Sequence, residues 1–423
     1  MIRHRPRRLA LALAVALAAL ASGIRPADAA PSAPAAPDAP DSVTQVPPFY
    51  TPPSPLPAGR DGDVIRSERI TYANATGTRI MYLSRDVDNR PMAVTGTVLV
   101  PTAAWPSGGP RPIVAYAPFT AGMGDQCAVS RLVAGESFGD FTSGVQTGFI
   151  NALLAKGIAV AQTDYQGLGT PGDHTYVMRL PQARAVLDSV RAAQRLPGTG
   201  LPTNGPVGIA GYSQGGSASG AAAELAPTYA PELNVQGAYV GAPAADLGAV
   251  ARALDGSFYA GFLVFAMIGA NAAYPQLNIP GLANPTGQQV LTQANTLCTF
   301  DAVLTFPYRQ STTMTLDGRS VPTYLGEQPY KAVVDQQKLG TLRPAAPVMV
   351  EHSSFDDVLP FAQGQQLARD WCARGANVQF RDLFTFIPLF AHLFQGGAAG
   401  TNAANWLAGR FGGTAATPNC GQF

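Results

Sequence analysis

From Asp63 onward the chain is patterned by short apolar runs separated by turn residues. "RIMYLSRD" (79–86) and "MAVTGTVLVP" (92–101) alternate or run apolar around "VDNRP", where Asp88-Asn89 is a turn signal, and together they predict a β-hairpin. "PIVAYAP" (112–118) and "GIAVAQTDY" (157–165) are continuous apolar runs, the pattern of strands covered on both faces. Between them "GVQTGFINALLAKG" (144–157) has helical spacing and ends in glycine. "RAVLDSVRAAQRLPG" (184–198) reads as a second helix stopped by Pro-Gly. Strands are then predicted at "VGIAG" (207–211), "NVQGAYVGAP" (234–243), "APVMVEHSS" (346–354) and "ANVQFRDLF" (376–384), with helices at "SASGAAAELA" (217–226) and "FAQGQQLARDWCARG" (361–375). This alternation predicts an α/β fold with a mainly parallel central sheet flanked by helices.

Between the strands at 234–243 and 346–354 lie about a hundred residues that such a sheet does not need, among them "SFYAGFLVFAMIGANAAYP" (257–275), "LTQANTLCTFDAVLTFPY" (291–308) and "PYKAVVDQQKLG" (329–340). They predict a helical cap over about 245–343, above the carboxyl ends of the strands, where ligands bind in open α/β sheets. Phe258, Phe262, Phe265 and Met267 could line a site for an acyl chain or simply form the core of the cap; for most of them the core role is the expected one.

The N-terminus has another pattern. Arg3, Arg5, Arg7 and Arg8 precede an apolar run from Leu9 to about Ala21, and Ala27-Asp28-Ala29 precedes Ala30. Positive end, short apolar middle and small-residue exit predict a secretory signal peptide over 1–29. The run is too short for a spanning helix, which needs roughly 20 residues. Arg7-Arg8 also fits a twin-arginine signal. Residues 30–59 are rich in proline and alanine, with Phe49 and Tyr50 as their large apolar groups, and predict a linker or surface strap. Residues 60–423 are then the folded domain.

The whole chain has 28 basic and 27 acidic residues, and five arginines and one aspartate lie before Ala30. Without that segment 23 basic face 26 acidic residues, a net charge of −3. That excludes a polybasic nucleic-acid surface as the main theme.

Gly211-Tyr212-Ser213-Gln214-Gly215 fits G-x-S-x-G where a buried strand meets a helix. Glycines two residues either side let strand and helix approach without Cβ collisions and push the Ser213 hydroxyl outward. The Gln214 N–H, at a helix N-terminus, can face a developing oxyanion. A serine nucleophile needs a base, and the histidines are His4, His174, His352 and His392. In this arrangement the order is serine, acid, histidine, with the histidine in a loop after the last strand, which selects His392. His352 directly precedes Asp356-Asp357 and reads as a satisfied core residue. His174 reads as a loop residue or a support for others. The acid is Asp356 or Asp357 in "EHSSFDDVLPF".

With these residues the chain resembles the secreted lipases of the α/β-hydrolase fold typified by Candida antarctica lipase A. The resemblance rests on "GYSQGG", "YAPELNVQGAYVGAP", "EHSSFDDVLPF", "WCARGANVQF", "AHLF" and four cysteines, and covers most of the chain after the linker. It implies Ser213 as nucleophile, Asp356 as acid and His392 as base, and an oxyanion hole formed by the Gln214 N–H with a backbone donor near Thr120 or Ala121. Two departures stand out. Bacterial relatives usually carry His-Gly-Thr and Cys-Ala-Pro-Ser where this chain has Pro118-Phe119-Thr120 and Cys127-Ala128-Val129-Ser130. The yeast lipase continues past its last cysteine as a flap, whereas this chain stops just after Cys420, which implies a more open entrance. Four cysteines allow three pairings; the resemblance selects Cys127 with Cys298 and Cys372 with Cys420. No close C-x-x-C spacing supports a zinc site.

The expected protein is therefore a secreted, extracellular serine hydrolase acting on carboxylic esters, acylglycerols or other acyl esters. Acyl transfer or peptide hydrolysis by the same residues, and a silent binding protein on this scaffold, are the alternatives. No metal or organic cofactor is called for. The expected partner is a small-molecule or lipid ester, with transient contact with lipid interfaces, no nucleic acid and a monomeric state.

Overall fold

A computed structural model describes residues 47–137, 142–384 and 387–423. The segment expected to be a signal peptide (1–29) and residues 30–46 of the expected linker lie outside the described residues. The strands are β1 (Val64–Tyr72), β2 (Ala75–Arg85), β3 (Pro91–Pro101), β4 (Ile113–Ala117), β5 (Ala159–Thr163), β6 (Pro206–Tyr212), β7 (Asn234–Gly241), β8 (Val348–His352) and β9 (Val378–Asp382). They form one sheet in the order β1-β2-β3-β5-β4-β6-β7-β8-β9. From β1 to β5 along this order the pairing is antiparallel, and from β5 to β9 it is parallel.

The predicted hairpin is β2 and β3, in register from Ala75↔Pro101 to Arg85↔Pro91. Its turn is closed by Asp86, whose carboxylate accepts the N–H groups of Asp88 and Arg90 at 2.9 and 2.8 Å. The pattern does not single out β1, an edge strand whose sequence "VIRSERITY" buries no residue fully.

Helices α1 (Val129–Val133), α2 (Ser143–Ala155), α3 (Arg179–Arg195), α4 (Gln214–Tyr229), α11 (Phe361–Ala373) and α12 (Ala391–Phe411) flank the sheet, and α5 (Leu247–Leu254), α6 (Gly261–Ala273), α7 (Pro285–Ala294), α8 (Thr299–Thr305), α9 (Val321–Tyr324) and α10 (Tyr330–Gln337) follow β7. The period-2 alternation of the strands divides the core. One face packs Ile113, Ala115, Val207, Ile209 and Val348 against α3, α4 and α11. The other packs Val114, Tyr116, Ala210 and Tyr239 against Phe149 and Leu153 of α2 and Ala399, Ala403 and Leu407 of α12. Strands buried on both faces need apolar side chains at every position, which is why β4 and β6 read as unbroken apolar runs. The helices α5–α10 enclose a core of their own that includes Phe265, Ile268 and Phe306.

The chain passes from β4 to β5 on one side and returns to β6 on the other. Such a reversal leaves a crevice at the carboxyl ends of β4 and β6, where open α/β sheets bind ligands. Ala117 at the end of β4 is in register with Gly211, two residues before Ser213.

Residues 47–59 run to the start of this sheet. Phe49 and Tyr50 are buried with Met81 and Ala93, and the Tyr50 hydroxyl lies 2.7 Å from Ser130 Oγ.

Candidate active site

The turn from β6 to α4 depends on three glycines. A Cβ on Gly211 would lie 2.2 Å from the Gly215 carbonyl oxygen, one on Gly215 2.0 Å from that of Ala117, and one on Gly216 2.0 Å from that of Gly241. Between them Ser213 is held at φ 59° and ψ −119°, a strained conformation for a residue with a Cβ. The Ser213 N–H donates to the Gly241 carbonyl at 2.9 Å, and its carbonyl accepts from Ser217 N at 3.0 Å. The strain is thus fixed from both sides, and Gln214 begins α4.

The other two groups lie in the chain beyond β8 and beyond β9. His392 Nε2 lies 2.9 Å from Ser213 Oγ, and Nδ1 lies 2.7 Å from Asp356 Oδ2. All three sequence-predicted residues are therefore brought together. His392 departs from expectation in one respect: it is the second residue of α12, a helix of 21 residues, and not part of a loop. The α12 sequence contains Gly396, Gly397, Gly400 and Gly409, which weakens any helical reading, yet two of these glycines let the helix come close. A Cβ at Gly400 would lie 2.6 Å from Phe149 Cα, and one at Gly396 3.1 Å from the Tyr212 ring.

The Asp356 side chain is fully buried and saturated with donors. Its Oδ1 accepts the N–H groups of Val358 and Leu359 at 2.9 and 2.7 Å, and Oδ2 lies 3.2 Å from His352 Nε2 as well as 2.7 Å from His392. Burial alone would raise its titration; the electrostatic attraction of the adjacent His392 and the hydrogen bonds from both imidazoles outweigh this and hold the carboxyl far below the usual carboxylate range. His352 is fully buried. Its Nε2 also faces the Leu359 carbonyl at 3.1 Å, so Nε2 carries the proton. Order along the chain excludes His352 as the base but does not disclose this contact, which forms where β8 turns sharply after its last residue.

Asp357 points elsewhere. Its Oδ1 accepts the N–H of His392 at 2.9 Å and so takes up one of the free donors at the α12 N-terminus. Tyr212 donates its hydroxyl to the His392 carbonyl at 2.5 Å. Neither role is visible in the sequence.

The loop after β4 is tied down carbonyl by carbonyl. Pro118 accepts from Tyr165 Oη at 2.7 Å, Phe119 from Gln146 Nε2 at 2.8 Å, Thr120 from Thr299 Oγ1 at 2.6 Å, and Ala121 from the Thr299 N–H at 3.0 Å. Thr120 lines the same cavity as Ser213 and His392, whereas Ala121 is not among its lining residues and packs with Cys127, Ala128, Leu168 and Cys298. Cys127 is bonded to Cys298, the residue that precedes α8, and Cys372 is bonded to Cys420.

Two apolar cavities meet at Ser213. The first runs under the α5–α10 helices past Gln214, Leu247, Phe262, Met267 and Met314. The second contains His392, Thr120, Phe258, Leu304 and Phe390. Against the expectation that most of the four cap side chains considered for a ligand would be core, Phe258, Phe262 and Met267 line these cavities, and Phe265 alone of the four is fully buried among the α5–α10 helices. Among the described residues no group of three or more His, Cys, Asp or Glu side chains could hold a metal ion.

A serine on a strained strand-to-helix turn, within hydrogen-bond reach of a histidine and through it of a carboxylate, at the carboxyl edge of a mainly parallel sheet, is the arrangement that the α/β-hydrolase fold carries. The profile of the family described as "Secretory lipase" matches residues 134–419, and the chain belongs to that family. It is 31% identical to a probable inactive lipase of Mycobacterium tuberculosis, over 86% of this chain and 82% of the relative. A secreted triacylglycerol lipase of Malassezia globosa is 26% identical over 88% of this chain and 82% of its own. Candida antarctica lipase A in its closed state superposes with a TM-score of 0.77 at 26% identity, covering 88% of this chain and 87% of that one.

Proposed function

We propose that the chain is a secreted hydrolase of carboxylic esters, with Ser213, His392 and Asp356 as a catalytic triad working through an acyl-enzyme. The observation that carries this reading is the His392 imidazole, within hydrogen-bond reach of the serine hydroxyl at one nitrogen and of a buried carboxylate at the other. Ser213 Oγ attacks the ester carbonyl carbon while its proton passes to His392 Nε2. Asp356 stays ionised and stabilises the imidazolium. The carbonyl oxygen, now negative, lies against the Gln214 N–H and an N–H of the loop at residues 119–121, whose peptides are oriented by their bonded carbonyls. Collapse expels the alcohol, which takes the proton from His392; water then repeats the sequence on the acyl-enzyme.

The two cavities that share Ser213 support an assignment of the two halves of the ester. The leaving alcohol must depart toward His392, so it occupies the second cavity. The acyl chain takes the first, whose apolar walls gain about 0.8 kcal/mol per methylene buried. Phe384, Leu389 and Phe394 are exposed, and the last two flank lining residues of the second cavity; this rim suits contact with aggregated ester lipids. The predicted signal segment, two disulfides and the secreted relative support an extracellular setting. The name of the mycobacterial relative describes a probable inactive protein, so activity is a point for direct test. Hydrolysis of p-nitrophenyl esters from C2 to C16 by the mature protein, abolished in Ser213→Ala and His392→Ala, is the expected result; unchanged rates in both variants would refute the reading.

A further inference from the structure

His174 is a buried histidine that the reaction above does not use. Its Nδ1 lies 2.8 Å from the Gln166 carbonyl oxygen, so Nδ1 carries the proton and Nε2 presents a lone pair. That lone pair is 3.0 Å from the side-chain amide nitrogen of Gln214, which also reaches Gln182 Oε1 of α3 at 3.3 Å. The residue next to the nucleophile is therefore held through its side chain by two acceptors on separate elements. Two positions further along, the Tyr176 hydroxyl lies 2.7 Å from Thr120 Oγ1. One short loop thus touches both walls of the position where an oxyanion would form.

We propose that the loop at residues 173–177 is a positioning clamp for the oxyanion site, in which His174, as a neutral acceptor, fixes Gln214 and Tyr176 fixes Thr120. The inference rests on the triad reading given above. A protonated His174 would aim an N–H at the amide N–H groups of Gln214 and break the contact, and burial keeps it neutral by pushing its titration down to about 4. The groups facing the imidazole are the Tyr165 ring, stacked at 6.0 Å, the Tyr176 ring, edge-on at 6.0 Å, and the glutamines. The Asp173 carboxylate accepts from Asn295 instead, at 2.7 Å. The loop is shaped for stiffness. Val177 has φ 55°, a costly value for a β-branched residue. A Cβ on Gly269 of α6 would lie 2.5 Å from the Tyr176 carbonyl oxygen, so the cap presses directly on the clamp.

The test uses the whole secreted protein and its variants His174→Leu, His174→Gln, Gln214→Leu, the His174→Leu/Gln214→Leu double, and Tyr176→Phe. It measures kcat and KM on p-nitrophenyl butyrate, the Ki of an alkylboronic acid that forms a tetrahedral serine adduct, and thermal unfolding. His174→Leu should lower kcat about 10- to 100-fold with KM nearly unchanged and weaken the boronic acid by a similar factor, as expected for a loosened oxyanion donor. His174→Gln keeps an acceptor near Nε2 and should recover most of the rate. Gln214→Leu should match His174→Leu, and the double variant should be no worse than either. Tyr176→Phe should lose about 10-fold in kcat. A folded His174→Leu with wild-type kcat and Ki, or losses that multiply in the double variant, would overturn the clamp. If His174→Leu does not fold, Gln214→Leu and Tyr176→Phe decide by the same kcat and Ki criteria. An inactive wild type would overturn the triad reading too, whereas an active wild type with indifferent clamp variants overturns this inference alone.

Discussion

Asp356 and Asp357 are neighbours with separate work, one beneath the imidazole of His392 and the other at its backbone N–H. Asp356→Asn should lower kcat by about 10⁴-fold, because an amide favours the wrong imidazole tautomer. Asp357→Ala should cost about 1 kcal/mol in thermal or denaturant unfolding, the usual loss of a helix cap, with less than a tenfold change in kcat. Adjacent residues of one type cannot be told apart by pattern, and the choice of Asp356 rested on resemblance. The serine and the base were legible for a firmer reason: glycine spacing marks the turn, and few histidines follow it. His174 gives a prediction on pH. Its folded pKa is about 4 against about 6.5 when unfolded, so between those values the unfolded chain binds the proton and the folded one does not. Stability from this group is complete above about pH 6.5 and is lost as pH falls toward 4, by about 3 kcal/mol at most. Buried Asp188, raised to about 6 by burial, acts in the opposite sense, losing stability as pH rises through its own window. The His174 contribution therefore shows in the difference between wild type and His174→Gln, which should narrow as pH falls from 7 to 4.5 in urea unfolding; a constant difference would contradict it.

At the scale of elements, the β6–α4 turn is a packing problem solved by missing Cβ atoms. Gly216→Ala would set a methyl 2.0 Å from the Gly241 carbonyl oxygen and should destabilise by about 3 kcal/mol in denaturant unfolding. The central strands were legible because burial on both faces demands apolar residues throughout. Helix α12 was not, since its glycines signal a loop locally and a close helix only once Phe149 and Tyr212 are in place. The order of strands, and hence the crevice beside β4, lies in tertiary pairing that no local pattern reports. In the cap, Ala266 of α6 lines the first cavity. Ala266→Phe should fill part of it and reduce kcat/KM for a C16 ester about tenfold relative to a C4 ester; an unchanged ratio would place the acyl chain elsewhere.

For the molecule as a whole, the two disulfides bear on different properties. The bond between Cys127 and Cys298 spans 171 residues and tethers the segment between the loop at residues 118–121 and α1 to the residue that precedes α8, while that between Cys372 and Cys420 spans 48. Chain entropy gives about 4 to 5 kcal/mol for each. Serine pairs replacing Cys372 and Cys420 should lower stability and leave kcat of the folded protein intact, whereas replacing Cys127 and Cys298 should lower both. The triad requires that the fold make Ser213 a nucleophile. Labelling the mature protein with a fluorophosphonate and locating the adduct by mass spectrometry should give one adduct on Ser213, formed far more slowly in His392→Ala; a folded protein with Ser213 unmodified would overturn the triad.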